Sequence, residues 1–137
     1  MRNITAVICL DDDGGVSFNK RRQSSDRLLI DELIRSTDGD IYISEYSLPL
    51  FSEHSDRVRV CTSPLDDCPD GGVCFVERTD PTPWLVDVGT LVIYRWNRRY
   101  PRDISFKIEN ARGFTLSGAS EFVGNSHKLI TKEVYRK

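Results

Sequence analysis

The chain has 137 residues, 39% of them apolar and 29% charged, with a net charge of −2. These values suit one globular domain with a real core, and they exclude a strong overall attraction for nucleic acid or a membrane surface. No apolar run reaches the length of a membrane span and no signal-peptide pattern opens the chain, so a single cytoplasmic domain over residues 1–137 is expected.

Met1-Arg2-Asn3 leads directly into Ile4-Thr5-Ala6-Val7-Ile8-Cys9-Leu10, an almost unbroken apolar run. Such a run predicts a strand covered on both faces in the middle of a sheet. Asp11-Asp12-Asp13-Gly14-Gly15 ends it, since Asp and Gly accept the backbone of tight turns. A basic loop, Lys20-Arg21-Arg22, precedes a helix that opens at Ser24 or Ser25, both good caps. Leu29, Ile30, Leu33 and Ile34 give that helix one apolar stripe. Asp26 falls on the same stripe, four residues before Ile30. A carboxylate there is either a capping device favoured by the helix dipole or a ligand-binding group.

Thr37-Asp38-Gly39-Asp40 stops the helix, and Ile41-Tyr42-Ile43 follows as a strand. A strand–helix–strand unit implies a right-handed crossover between parallel strands. Ser44 can cap a brief second helix from Glu45 to about Glu53, interrupted by Pro49. Arg57 to Cys61 alternates as a third strand. Ser63 to Gly72 reads as loop, Val73 to Val76 as a fourth strand, and Pro83 to Val86 as a helical turn. Thr90 to Trp96 is the second strongly apolar strand. Ile104 to Phe106 is extended, and Phe114–Leu116 and Ser120–Val123 are strand-like. Gly124-Asn125 then turns the chain into a last strand within His127–Tyr135, which predicts an antiparallel hairpin. The expected fold is a single α/β domain: a mixed, mostly parallel central sheet, flanking helices and a C-terminal antiparallel hairpin.

Cys9 and Cys61 lie in strand patterns and read as small buried hydrophobes, while Cys68 and Cys74 flank a turn and can meet across it. Neither their spacing nor that of the two histidines makes a zinc site, and free thiols are expected. Asp11-Asp12-Asp13 reads as a solvated turn, since no calcium-loop pattern follows. Four arginines and three aromatics interleave in Tyr94–Arg102. One reading is a platform for bases or phosphates, the surface of an interaction or nucleic-acid-binding module. The preferred one is a strand whose aromatics pack inward while its arginines face solvent or aspartates. His54 and His127 stand far apart, and no Gly-x-Ser-x-Gly elbow marks a Ser/His/Asp triad. The His-x-His-x-Asp-His cluster of ribonuclease Z-type nucleases has no counterpart, and no metal site is expected.

The order of elements resembles dihydrofolate reductase. Ile4–Ile8 is similar to that family's first strand, and Val16-Ser17-Phe18-Asn19 falls where its active-site loop begins. Ser25-Asp26-Arg27-Leu28 falls at the family's substrate carboxylate, and Asp103-Ile104-Ser105-Phe106 resembles its Asp-Thr-x-Phe segment. The resemblance implies that Asp26 holds a pteridine ring by a paired, charge-assisted contact and is the catalytic acid if any turnover occurs. It implies ligand contacts from Phe18 and Tyr94, the latter where the family has a Thr hydroxyl. Arg57 falls near the position that holds the folate tail, and Arg22 adds to a basic rim around Asp26.

The departures concern the cofactor. The active-site loop is about three residues shorter than the family's and lacks its Trp. Where the family binds NADPH phosphates with Gly-Arg-x-Thr, this chain has Ser44-Glu45-Tyr46-Ser47, so Ser47 alone can mimic the Thr and Glu45 repels phosphate. The family's Gly-Gly pair opening a helix is missing, because Gly71-Gly72 precedes a strand. These residues point to a divergent protein that has lost the usual NADPH motifs and binds a small pterin-like or anionic ligand, noncatalytically or with altered chemistry. An active NADPH-dependent dihydrofolate reductase and the interaction module are the alternatives.

Overall fold

The structure, a computed structural model, describes residues 2–137; Met1, the first residue of the expected lead-in, lies outside the described residues. Ten strands are formed: β1 (Ile4–Leu10), β2 (Gly15–Phe18), β3 (Arg21–Arg22), β4 (Ile41–Ser44), β5 (Val58–Cys61), β6 (Val73–Val76), β7 (Val88–Arg95), β8 (Ile104–Ser105), β9 (Thr115–Phe122) and β10 (Ile130–Arg136). Helices α1 (Arg27–Arg35) and α2 (Pro64–Asp67) and 3-10 segments at Glu45–Arg57, Thr82–Asp87 and Ile108–Asn110 connect them.

Seven strands make the main sheet in the order β5-β4-β6-β1-β7-β10-β9. β1 lies between β6 and β7, parallel to both, as its apolar run requires. β10 runs antiparallel to β7 and to β9. This is the mixed, mostly parallel sheet with a closing hairpin that the sequence predicts. Alternate residues of β1 feed two cores. Ile4, Ala6, Ile8 and Leu10 pack with Leu65, Leu91, Ile93 and Phe106 on one face. Val7 packs with Leu29, Ile30, Leu33, Ile34 and Phe51 on the other. The α1 stripe is therefore the expected one. No helix among the described residues is long and apolar enough to cross a membrane.

Several local expectations are corrected. α1 is capped by Asp26, not by Ser24 or Ser25; Asp26 has an extended backbone at φ −153° and so stands before the helix, off its apolar stripe. A carboxylate with two amides of the first turn in reach caps better than a hydroxyl one residue earlier. The basic loop is a hairpin. β2 and β3 pair through Asn19 and Lys20, whose φ values of 53° and 62° make the turn that matches strand twist. β8 completes a second, three-stranded sheet with them. The supposed loop Ser63–Gly72 contains α2, started by Pro64. The brief second helix is a longer 3-10 segment, broken at Phe51 and His54. The two strand-like pieces before Gly124 are one strand, β9. Of the helices flanking the sheet, only α1 runs beyond one turn. Cys9 and Cys61 are partly exposed while Cys68 and Cys74 are buried, and all four are free. The neighbouring Cys74 lowers the Cys68 thiol, while the nearness of Cys68 together with burial raises that of Cys74.

Candidate functional site

Asp26 ends the segment that leads from β3 into α1, and its side chain is buried. Oδ1 accepts from the backbone amides of Leu28 (3.0 Å), Leu29 (3.3 Å) and Asn125 (3.1 Å). Oδ2 accepts from Ser126 N (2.9 Å), Ser126 Oγ (3.1 Å) and His127 Nδ1 (3.1 Å). The turn Gly124–His127, closed by Gly124 N donating to His127 O at 3.0 Å, thus wraps around the carboxylate. In return Asn125 Oδ1 accepts from Arg27 N at 2.8 Å. Burial pushes the Asp26 carboxyl up, but the amides of Ser126 and Asn125 and the His127 and Ser126 side chains outweigh it and hold it at about 2.

Gly124 is needed there. A Cβ on it would meet Asp26 Oδ2 at 2.4 Å and His127 O at 2.9 Å. Gly124→Ala is therefore expected to cost about 1–3 kcal/mol through forced displacement. Gly118→Ala, where a Cβ meets nothing within 4 Å, should change stability little. Thermal unfolding of the pair checks this, and equal melting temperatures would refute the tight wrap.

His127 was read as the start of a strand; it is instead a buried residue of the hairpin turn. A carboxylate can only accept, so its contact with Asp26 puts the ring proton on Nδ1. In the neutral ring Nε2 is then the acceptor, facing Ser24 Oγ at 3.1 Å and the Tyr100 hydroxyl at 2.9 Å. Trp96 stacks on the ring at 4.5 Å between centroids. Sequence reading missed His127 and Ser24 as a pair, because no local motif joins residues 103 apart.

Asp26, Ser24, Gln23, Arg22, Glu77 and Trp96 share the lining of a cavity of about 20 Å³ beside α1. That is room for about one water, not a ring system. Arg22 is fixed by an ion pair with Glu77 (2.8 Å), by Tyr46 O (3.1 Å), and by lying 4.3 Å over the Tyr46 ring. Ser47 is buried and donates to Glu77 at 2.7 Å. Arg22 and Ser47 are thus joined through a carboxylate that the sequence analysis did not single out.

The other expected contacts lie apart. Tyr94 is buried, but its hydroxyl donates to Glu32 on α1, which Lys132 also contacts at 2.8 Å. Burial first, then the Glu32 contact, raise the Tyr94 phenol. Phe18 is exposed in its hairpin. Arg57 donates to Thr37 O and Gly39 O, at the end of α1 opposite Asp26. In the Tyr94–Arg102 stretch, Tyr94 and Trp96 are buried and Arg95, Arg99 and Arg102 pair with Glu133 or Asp13. That is the arrangement of the preferred, non-platform reading. Asp11 is buried and accepts from Asp13 N, Gly15 N, Tyr100 N and Gln23 Nε2, so the first acid of the Asp run organises its turn instead of being solvated.

A larger crevice, about 460 Å³, opens at the carboxyl ends of β4, β5 and β6. Lys20, Ser44, Ser63, Glu77, Arg78 and Thr79 are among its walls, and it shares Val76 and Glu77 with the Asp26 cavity. Arg78 lies 3.6 Å over the Tyr46 ring. A broader groove of about 620 Å³ at the amino ends of the strands holds none of the expected site residues. Asp31, Glu53 and His54 form the one cluster of three potential metal-ligating side chains among the described residues, with ligand atoms within 4.8 Å of one another; His54 Nε2 already contacts Asp31 at 2.9 Å.

Ser47 is committed to Glu77, Glu45 is exposed at the start of its 3-10 segment, and β6 continues through Glu77 and Arg78 into Thr82–Asp87 with no glycine-opened helix.

No family model and no curated protein sequence matches the chain. Among solved structures, it is similar to the dihydrofolate reductase from Enterococcus faecalis complexed with NADP(H) and RAB-propyl, at a TM-score of 0.66 and 10% identity. The match covers 97% of this chain and 95% of that one. With its strand order, crossover helix and closing hairpin, the chain has a dihydrofolate reductase-like fold in a divergent form.

Proposed function

We propose that this chain is a ligand-binding domain of the dihydrofolate reductase-like fold that does not reduce pterins with NADPH. Its ligand is a small anionic molecule, with or without a heterocycle, taken into the crevice at the carboxyl ends of β4–β6. The observation that carries this reading is the contrast between the two neighbouring cavities. The one at Asp26 is filled by the chain's own donors, whereas the crevice has about 460 Å³ of room, within the range of small-molecule sites. Carboxyl edges of parallel strands are where open α/β sheets take ligands. Lys20 and Arg78 supply positive charge there, opposed by Asp103, while Glu77 is already paired with Arg22. Thr79 adds a hydroxyl to the walls, while the Ser63 hydroxyl donates to Asp66 at 2.9 Å. In this reading Asp26 closes the fold beside the site and does not touch the ligand.

Thermal-shift titration tests it, with adenosine monophosphate, pyrophosphate, folate and NADPH as probes. A phosphate-bearing probe at a hundred times its Kd should add about 2.7 kcal/mol, a shift of several degrees. Lys20→Ala combined with Arg78→Ala should abolish that shift. Stabilisation by folate alone, lost in Asp26→Asn, would move the ligand to the Asp26 cavity. Stabilisation by NADPH with folate-dependent oxidation of it would make the protein a reductase and overturn the proposal.

A further inference from the structure

The geometry points to a second activity at the closed end of the molecule: Ser24, His127 and Asp26 form a hydrolytic triad that acts on esters of very small acids. The connectivity is that of a nucleophile, its base and an orienting acid. Ser24 Oγ lies 3.1 Å from His127 Nε2, and His127 Nδ1 lies 3.1 Å from Asp26 Oδ2. Such constellations are recognised by mutual geometry and not by chain order or a local motif. Asp26 accepts a hydrogen bond from Nδ1–H, and in the neutral ring this leaves on Nε2 the lone pair that a general base needs. Trp96, stacked on the imidazole, and the Gly124–His127 turn hold the ring in place. Ser24 is partly exposed whereas His127 and Asp26 are buried, so a substrate reaches the nucleophile while its partners stay dry.

In the reaction, Ser24 Oγ attacks the ester carbonyl carbon as its proton moves to Nε2, and the carbonyl electrons pass to the oxygen. That oxyanion collapses, the bond to the alcohol oxygen breaks, and the Nε2 proton leaves with the alcohol. Acyl-Ser24 is then attacked by water, whose proton passes through Nε2 back to Ser24 Oγ as the acid departs. Asp26 is a positioning residue that acts through His127. Arg22 is the one cation among the residues lining this cavity, and Glu77 and Tyr46 hold its guanidinium. The cavity, about 20 Å³, has room for about one water, so the acyl methyl and the alcohol portion both sit at its mouth beside the partly exposed Ser24, and longer acyl chains find no space. The Tyr100 hydroxyl, 2.9 Å from the same Nε2, competes with Ser24 for the lone pair and restrains the rate.

This centre and the carboxyl-edge crevice are tested separately, because neither Lys20 nor Arg78 belongs to the triad. The full chain is incubated with p-nitrophenyl acetate, with nitrophenol release and intact mass followed together. The expected result is an acetyl ester on Ser24 by peptide mapping, hydrolysis falling about 100-fold in Ser24→Ala, and poor use of p-nitrophenyl butyrate. Tyr100→Phe should raise the rate by freeing the base. The proposal is overturned if Ser24→Ala hydrolyses the acetate like the native chain. It is equally overturned if the acetyl group is found only on lysine, cysteine or Tyr100, or if Tyr100→Phe abolishes turnover.

Discussion

Asp26→Asn is expected to lower stability by about 3 kcal/mol at neutral pH, and by much less in strong acid. An amide keeps one accepting oxygen for the α1 cap, yet it turns a donor toward Ser126 and His127, which then lose their acceptor. Removing the charged member of a buried, hydrogen-bonded pair costs about 3–5 kcal/mol, and the retained cap offsets part of it. The pH dependence follows from the carboxyl's low value. Asp26 titrates at about 2 in the folded chain against an ordinary 3.8, so unfolding takes up a proton between those values. Its contribution, about 2–3 kcal/mol, is whole above pH ~4 and is lost as pH falls through about 2. Urea midpoints of the native chain and Asp26→Asn, at pH 7 and pH 2.5, measure both effects. The native midpoint should fall further than the variant's on acidification; parallel losses would mean that the wrapped carboxylate contributes no more than an exposed one.

Phe51→Ala should be about as damaging, at about 3–5 kcal/mol. Phe51 is fully buried and meets Phe75 edge-on at 5.4 Å between centroids. It and Ser47 are the buried residues of the Glu45–Arg57 segment. That segment is poorly suited to stand alone: it contains Pro49 and departs from helical backbone at Phe51 itself, with φ −108° and ψ 21°. The departure turns the ring into the α1 side of the sheet, where it packs with Leu29, Ile30 and Leu33. Leu50, next in the chain, lines the cavity beside Asp26. Loss of the ring should therefore loosen one wall of that cavity as well as the core. Leu48→Ala on the same segment, 37% exposed, should stay within about 0.5 kcal/mol. Denaturant unfolding of the two variants makes the comparison; similar midpoints would show that the segment is not anchored by its aromatic.

Both losses would loosen the closed cavity, which Asp26 and Leu50 line. Glu77 stands in its lining and in that of the crevice, tied to Arg22 and Ser47. In a reductase of this fold, as the resemblance describes it, a glycine-opened helix and a cationic string would meet phosphate. Here the end of β6 and the start of the Glu45–Arg57 segment are tied to each other. That internal pairing supports the proposal of a different ligand.

The sequence by itself determined the sheet. Apolar runs such as Ile4–Leu10 can be stable only with both faces covered, and their alternation assigns each side chain to one of two cores. Asp and Gly clusters marked the turns, because the backbone conformations they favour are a local property. Tertiary structure alone shows what Asp26 touches. Besides the α1 amides that it caps, its carboxylate meets donors 99 to 101 residues away. Tertiary structure likewise decided that Tyr94 meets Glu32 and that Ser24 meets His127, 62 and 103 residues apart. Polar partners carry no periodic signature along a chain. Only the pairing of β10 with β7 and β9 brings the hairpin turn, with His127 and its amides, back to the start of α1.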